Sequence, residues 1–141
     1  MESVISTQEY VLAFNLEEKF ILAAETELKA KLPENYKTAM QKNNGGEIEV
    51  AGDIWEQYPI FDTSDRKRIA RTCNHIISET RSSEGFGNFP VNALAIAGNG
   101  CGDQLILLKQ NGNYSDSVYI WSHETGEVVK VSSCISELTC L

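Results

Sequence analysis

The sequence predicts an α+β fold: a twisted, mostly antiparallel sheet with helices packed around it. Two helix-forming segments come first, and most of the strand-forming segments follow in consecutive runs rather than in strict alternation with helices. Runs of like elements are typical of α+β domains. Short turns join the later strands, and strands joined in this way pair antiparallel. The length of 141 residues suits one domain over residues 1–141.

The composition argues against several classes of function. At 42% apolar the chain can bury a core, and it has no apolar run of the length that spans a membrane. Residues 1–4 lack the basic start of a signal peptide, so we expect a cytoplasmic protein that begins at its natural Met. A net charge of −8 argues against nucleic acid as a direct ligand. The same charge fits either plain solubility or attraction of a basic protein partner.

The first half of the chain predicts two helices, a strand and an extended segment after an apolar start. Residues 1–16 are expected to form a short helix or an N-terminal arm, and the core to span about 17–138. A helix is expected over residues 16–31, because its apolar residues recur at three- and four-residue steps (Phe20, Ile21, Ala24, Leu28). Pro33 ends that pattern and opens a second helix to about residue 42. Residues 47–50 alternate as a strand, and residues 54–61 are extended with Pro59 at an edge.

A third helix is expected after the capping residues 62–65, running to about residue 80 with Ile69, Cys73, Ile76 and Ile77 inward. Four basic residues crowd its first turns, at the end where the helix dipole disfavours cations (Arg66, Lys67, Arg68, Arg71). This placement indicates either a functional basic patch or pairing with nearby acids. Residues 81–88 are predicted to form a loop.

The centre of the sheet is predicted at two apolar runs, residues 94–97 and 105–108, on either side of a glycine-rich turn. A short buried helix is the alternative for such runs. The turn resembles a phosphate loop, but it lacks a Lys-Ser or Lys-Thr pair and leads into a strand, which argues against nucleotide binding. Two more strands are expected over residues 117–121 and 127–131, followed by a short helix with Ile135 and Leu138 inward.

Few residues have the spacing of a catalytic or metal site. His75 and His123 form no metal-ligand motif, and no two cysteines are spaced C-x-x-C. We therefore expect no cofactor, no metal and no disulfide, with Cys73, Cys101 and Cys134 acting as small buried side chains. The alternative is that Cys101, in the glycine turn, acts as a nucleophile with one of the histidines.

Four stretches in order resemble the SMI1/KNR4 family, also called the SUKH superfamily. Residues 25–36 are similar to the family pattern Glu-x-x-Leu-x-x-x-Leu-Pro-x-x-Tyr, and residues 44–46 to its Asn-Gly-Gly. Residues 96–108 contain its glycine turn with the following apolar strand, and residues 118–124 its Val-Tyr-Ile-Trp stretch. The chain departs from the family in its polar residues 42–44 and in lacking the frequent Asp after the strand at 105–108. The motif positions are expected to be structural (Leu32, Pro33, Tyr36, Asn44, Gly45, Gly46, Gly100, Gly102, Asp103, Trp121).

The resemblance implies the α+β fold and a function without catalysis. Many bacterial members look like immunity proteins that bind and neutralise a secreted toxin, often a nuclease, and fungal relatives are regulatory scaffolds. The hypothesis is therefore a non-enzymatic immunity protein with a basic toxin as partner, and the alternative is a general protein-binding scaffold. The acidic residues of the N-terminal half are expected to attract the toxin, and Trp55 is expected to anchor it if the ring is exposed, with core packing as the alternative (Glu47, Glu49, Asp53, Trp55, Glu56).

Overall fold

The computed structural model describes residues 15–140, so the predicted N-terminal arm lies almost wholly outside the described residues. Helix α1 spans Glu18–Leu28 and helix α2 spans Glu34–Lys42. Helix α1 ends at Lys29, which is left-handed with φ 57°, so it is shorter than the predicted 16–31. Pro33 stands at the N-cap of α2, as its fixed φ favours. Leu16 packs in the core and donates its N–H to the carbonyl of Gln41 at 3.1 Å.

The strands form one sheet in which every described pair is antiparallel. They are β1 (Gly46–Val50), β2 (Asp53–Gln57), β3 (Ala93–Gly98), β4 (Gln104–Gln110), β5 (Asn113–Tyr114), β6 (Val118–Trp121), β7 (Val128–Ser132) and β8 (Thr139–Cys140). The order across the sheet is β7-β6-β4-β3-β2-β1-β8, and β5 pairs with β4. The β3–β4 hairpin is therefore central, as predicted, and the α+β class is confirmed.

The predicted third helix is divided into α3 (Arg66–Arg71) and α4 (Ile76–Glu84). Thr72 ends α3, because its hydroxyl donates to the carbonyl of Arg68 at 2.7 Å and accepts the N–H of Asp62 at 3.0 Å. His75 then caps α4. The break leaves Ile69 40% exposed and Cys73 exposed, so the prediction that they point inward was wrong. Helix α4 also continues into residues that were predicted as loop.

Two further elements were not predicted. Strand β8 pairs with β1 through Ile48 and Glu49, and it follows a single 3₁₀ turn, Ile135–Glu137, in place of the expected terminal helix. Strand β5 extends the turn after β4. Both strands are two residues long, which is too short for an alternating pattern to be visible in the sequence.

The core lies on both faces of the sheet. One face packs against α1 and α2, with Leu94, Leu105 and Leu107 in the same cluster as Ile21 and Tyr36. The other face carries a smaller aromatic cluster in which the rings of Phe89 and Trp121 meet edge to face at 5.0 Å (Phe89, Ala93, Ala95, Ile106, Trp121). No helix among residues 15–140 is long and apolar enough to cross a membrane.

Candidate functional site

The β1–β2 hairpin presents one solvent-exposed face. A two-residue turn, Ala51 and Gly52, joins its strands, and both turn residues have positive φ, as this type of tight hairpin requires. The resulting register sets Glu47 opposite Glu56 and Glu49 opposite Ile54. Since paired residues point to the same side of a sheet and alternate residues to opposite sides, these four share a face. We call this set, Glu47, Glu49, Ile54 and Glu56, the outer hairpin face.

The charges of the outer hairpin face are not compensated. Glu47 and Glu56 are both exposed and directly opposite one another, an arrangement that destabilises a pair of strands. Within the described chain, none of the three glutamates forms an ion pair at 4.0 Å or less. Strand β3 places Gly98 opposite Glu56, and the hydroxyl of Tyr58 occupies the space over Gly98. The face is therefore an exposed acidic surface that includes one apolar residue, Ile54, near the hairpin turn.

The other two residues of the predicted partner surface lie elsewhere. Trp55 is only 2% exposed, and its ring nitrogen donates to the carbonyl of Val50 at 3.3 Å. A contact anchor needs an accessible ring, so the expectation that Trp55 anchors a partner is corrected: the ring belongs to the core. Asp53 is exposed at the end of the hairpin but pairs with Val50, which puts it on the opposite face from the glutamates.

Beyond Glu56, the acidic surface continues toward α4. Tyr58 is half-buried and donates its hydroxyl to Gln104 Oε1 at 2.8 Å. Burial raises the pKa of the Tyr58 hydroxyl, and the nearby charges of Glu79 and Glu56 raise it further. Burial also raises the pKa of Glu79. Carboxylates from β2 and α4 therefore both act on the Tyr58 hydroxyl.

The glycine-rich turn between β3 and β4 has a structural role. Asn99 makes the local bond, accepting the N–H of Cys101 at 2.9 Å. Asp103 instead reaches the β6–β7 turn, where its Oδ1 accepts the backbone N–H of His123 at 3.1 Å and lies 2.8 Å from His123 Nδ1. Burial would raise the pKa of Asp103, but the hydrogen bonds and charge of His123, together with a hydrogen bond from Asn99, outweigh it and lower the pKa. Asp103 thus joins the glycine-rich turn to the β6–β7 turn.

The other motif residues also have packing or hydrogen-bonding roles. Leu32, Tyr36 and Trp121 are buried, and Asn44 holds Ile60 by two bonds of 2.8 Å, one to its N–H and one to its carbonyl. The glycines of both motifs have positive φ, from 83° to 116° (Gly45, Gly46, Gly100, Gly102). Pro33 is buried at the start of α2. These residues shape the core and its turns, and none of them belongs to the outer hairpin face.

Three of the four basic residues on α3 are engaged in interactions. Arg68 Nη1 lies 3.3 Å from Oδ2 of the buried Asp62 and donates to the carbonyl of Asn15 at 3.0 Å. Asp65 caps the helix by accepting the N–H of Arg68 at 2.8 Å. Lys67 and Arg71 are also engaged in interactions. For Arg68, therefore, the structure supports pairing with a nearby acid and not a free basic patch.

The cysteines differ from expectation. Cys73 and Cys101 are exposed and Cys134 is half-buried, so their predicted burial was wrong. The glycine turn carries Cys101 outward, but no hydrogen bond links its sulfur to His75 or His123 in the described structure. Among residues 15–140 there is also no group of three His, Cys, Asp or Glu side chains that could hold a metal ion. The described geometry lacks the nucleophile–base contact that an enzyme of this kind uses.

His75 makes the stability of α4 depend on pH. As the N-cap residue, it accepts the N–H of Ser78 on Nδ1 at 3.3 Å, which requires an unprotonated Nδ1. Burial lowers the pKa of His75; the charge of Glu27 opposes this and that of Arg81 adds to it. The unfolded chain therefore takes up the proton first. The stability that neutral His75 contributes is complete above about pH 6.5 and is lost as the pH falls below it.

We expect His75→Asn to remove this dependence, because asparagine caps helices well and does not titrate. Urea unfolding of both proteins between about pH 7.5 and 5, a range that spans the ordinary histidine pKa, is the measurement. Over this range the free energy of unfolding of the wild type should fall by on the order of 1 kcal/mol more than that of the variant, which is the typical contribution of a helix cap. Parallel curves for the two proteins would contradict this role of His75.

The fold and the outer hairpin face define a small α+β domain with an exposed acidic surface on its first hairpin. A family model supports a specific assignment: the chain belongs to the SMI1/KNR4 family (SUKH-1), whose model matches residues 15–139. The family predicted from four short motifs is thereby confirmed over nearly the whole chain. A search of curated proteins found no match.

Proposed function

We propose that this protein is a non-enzymatic immunity protein, which binds a basic bacterial toxin of the nuclease type in the cytoplasm and blocks it by occlusion. Membership of the SMI1/KNR4 family is consistent with this role. The observation that carries the proposal is the outer hairpin face, three exposed glutamates without ion pairs among the described residues. An acidic surface speeds the encounter with a basic partner and selects against acidic ones.

The test is co-expression with the toxin domain encoded by the neighbouring gene. We expect cells carrying both genes to survive, and the two purified proteins to elute together as an equimolar complex during size-exclusion chromatography. Raising the salt from about 0.1 to 1 M should slow association, since it shortens the screening length from about 10 to 3 Å. Failure both to protect cells and to bind at micromolar concentrations would rule out this toxin as the partner. The general scaffold then becomes the better hypothesis.

A further inference from the structure

Ile54 is a large aliphatic side chain exposed to solvent on the outer hairpin face, in the pair nearer the hairpin turn. It is 58% exposed, although its neighbours Trp55 and Val50 are buried. It lies directly opposite Glu49. Glu56, two residues further along the same strand, points to the same side. Ile54 takes no part in the buried side of the hairpin, so packing does not require an aliphatic residue at this position.

An isolated exposed aliphatic residue is ordinary on a protein surface. Leu22 on α1 is such a residue, at 53% exposed. The setting of Ile54 is different, because it stands on an open sheet face beside carboxylates that lack counter-ions within the described chain. An exposed apolar residue beside uncompensated charges offers both components of a protein interface, in which a few residues carry most of the binding energy.

We infer that Ile54 is the apolar anchor of the toxin-binding surface. This inference rests on the proposed function. The occupant is a basic protein surface, because a face bearing three glutamates is complementary to lysine and arginine and repels acidic surfaces. The partner places an apolar side chain, or the aliphatic stem of an arginine, over Ile54, while its cationic groups meet the surrounding carboxylates. Ile54 thus takes the anchoring role that the sequence had assigned to Trp55.

The experiment compares two substitutions of similarly exposed aliphatic residues. Ile54→Thr keeps a β-branched residue that suits a strand, and Leu22→Gln keeps a residue that suits a helix. Urea unfolding confirms that each variant folds, and calorimetry measures its affinity for the toxin domain of the neighbouring gene. We expect Ile54→Thr to weaken the affinity by about tenfold or more, as truncation of an anchor does, and Leu22→Gln to change it by less than about twofold.

The outcomes separate this inference from the proposed function. If the wild type binds the toxin and Ile54→Thr binds equally well, the anchor is elsewhere and only this inference fails. If Leu22→Gln weakens binding as much as Ile54→Thr, the effect is not specific to the outer hairpin face, and the inference likewise fails. If the wild type itself neither binds nor protects, the proposed function fails, and the inference falls with it.

Discussion

The Gly102→Ala variant is expected to unfold at a much lower urea concentration than the wild type. Gly102 has φ +105°, and a Cβ built on it would lie 2.8 Å from His123 Nδ1, in the contact between His123 and Asp103. Alanine therefore meets two costs. The backbone strain is about 1–2 kcal/mol, and forcing His123 aside adds about 1–3 kcal/mol. The free energy of unfolding should fall by roughly 2–5 kcal/mol, taking the two costs together.

Gly100→Ala is the matched control, because Gly100 lies in the same turn with φ +83° but has no atom within 4 Å of an added Cβ. Its free energy of unfolding should fall only by the backbone strain, about 1–2 kcal/mol. The difference between the two variants in urea unfolding measures the contact with His123. Equal losses in the free energy of unfolding would show that both glycines are needed only for their backbone conformation and that a methyl group is tolerated beside His123.

The two glycine variants are also expected to differ in how their stability depends on pH in the acid range. The pKa of Asp103 is lowered in the folded protein, so its stabilising contribution is present above the ordinary aspartate pKa and is lost as the pH falls through the lowered value. Gly102→Ala separates Asp103 from His123 and should flatten this part of the stability curve. Gly100→Ala should retain it. A merely strained turn would leave the acid dependence of both variants unchanged.

Much of the fold could be predicted because its signals are local. The glycine turn between two apolar runs identified the central hairpin, and Pro33 marked the start of α2. The failures have non-local causes. The break between α3 and α4 depends on Thr72 reaching Asp62, ten residues away, and Asp103 bonds to His123, twenty residues away. Periodicity within a window does not contain such contacts.

The candidate site shows the same limit. The acidic residues of β1 and β2 were identified by charge, and the structure places three of the four on one face with Ile54. The anchor was misassigned because Trp55 was considered without the alternation of its strand. Glu56 is exposed, and alternate residues of a strand share a face, so Ile54 lies on the exposed side and Trp55 on the buried side. The charge of Glu56 was thus the signal that could have found Ile54.

Glu47→Lys is expected to stabilise the fold and to impair toxin binding. The introduced lysine would stand directly opposite Glu56 and replace a repulsive cross-strand pair with an attractive one. Such a change should raise the free energy of unfolding by about 0.5–1 kcal/mol. In the proposed complex the new ammonium faces a basic surface, so association should slow by about tenfold or more at low salt. Urea unfolding and stopped-flow binding to the toxin domain measure the two effects.

Glu124→Lys controls for net charge, because it makes the same change of charge in the exposed β6–β7 turn, at the other side of the sheet. It should leave toxin association within about twofold, since a distant exposed charge is screened by salt. A stability gain together with a binding loss is hard to explain by damage to the fold, which lowers both. The repulsion between Glu47 and Glu56 would then be a cost in stability that is retained because it serves binding. If Glu47→Lys gains stability and binds the toxin at the wild-type rate, the outer hairpin face lies outside the interface.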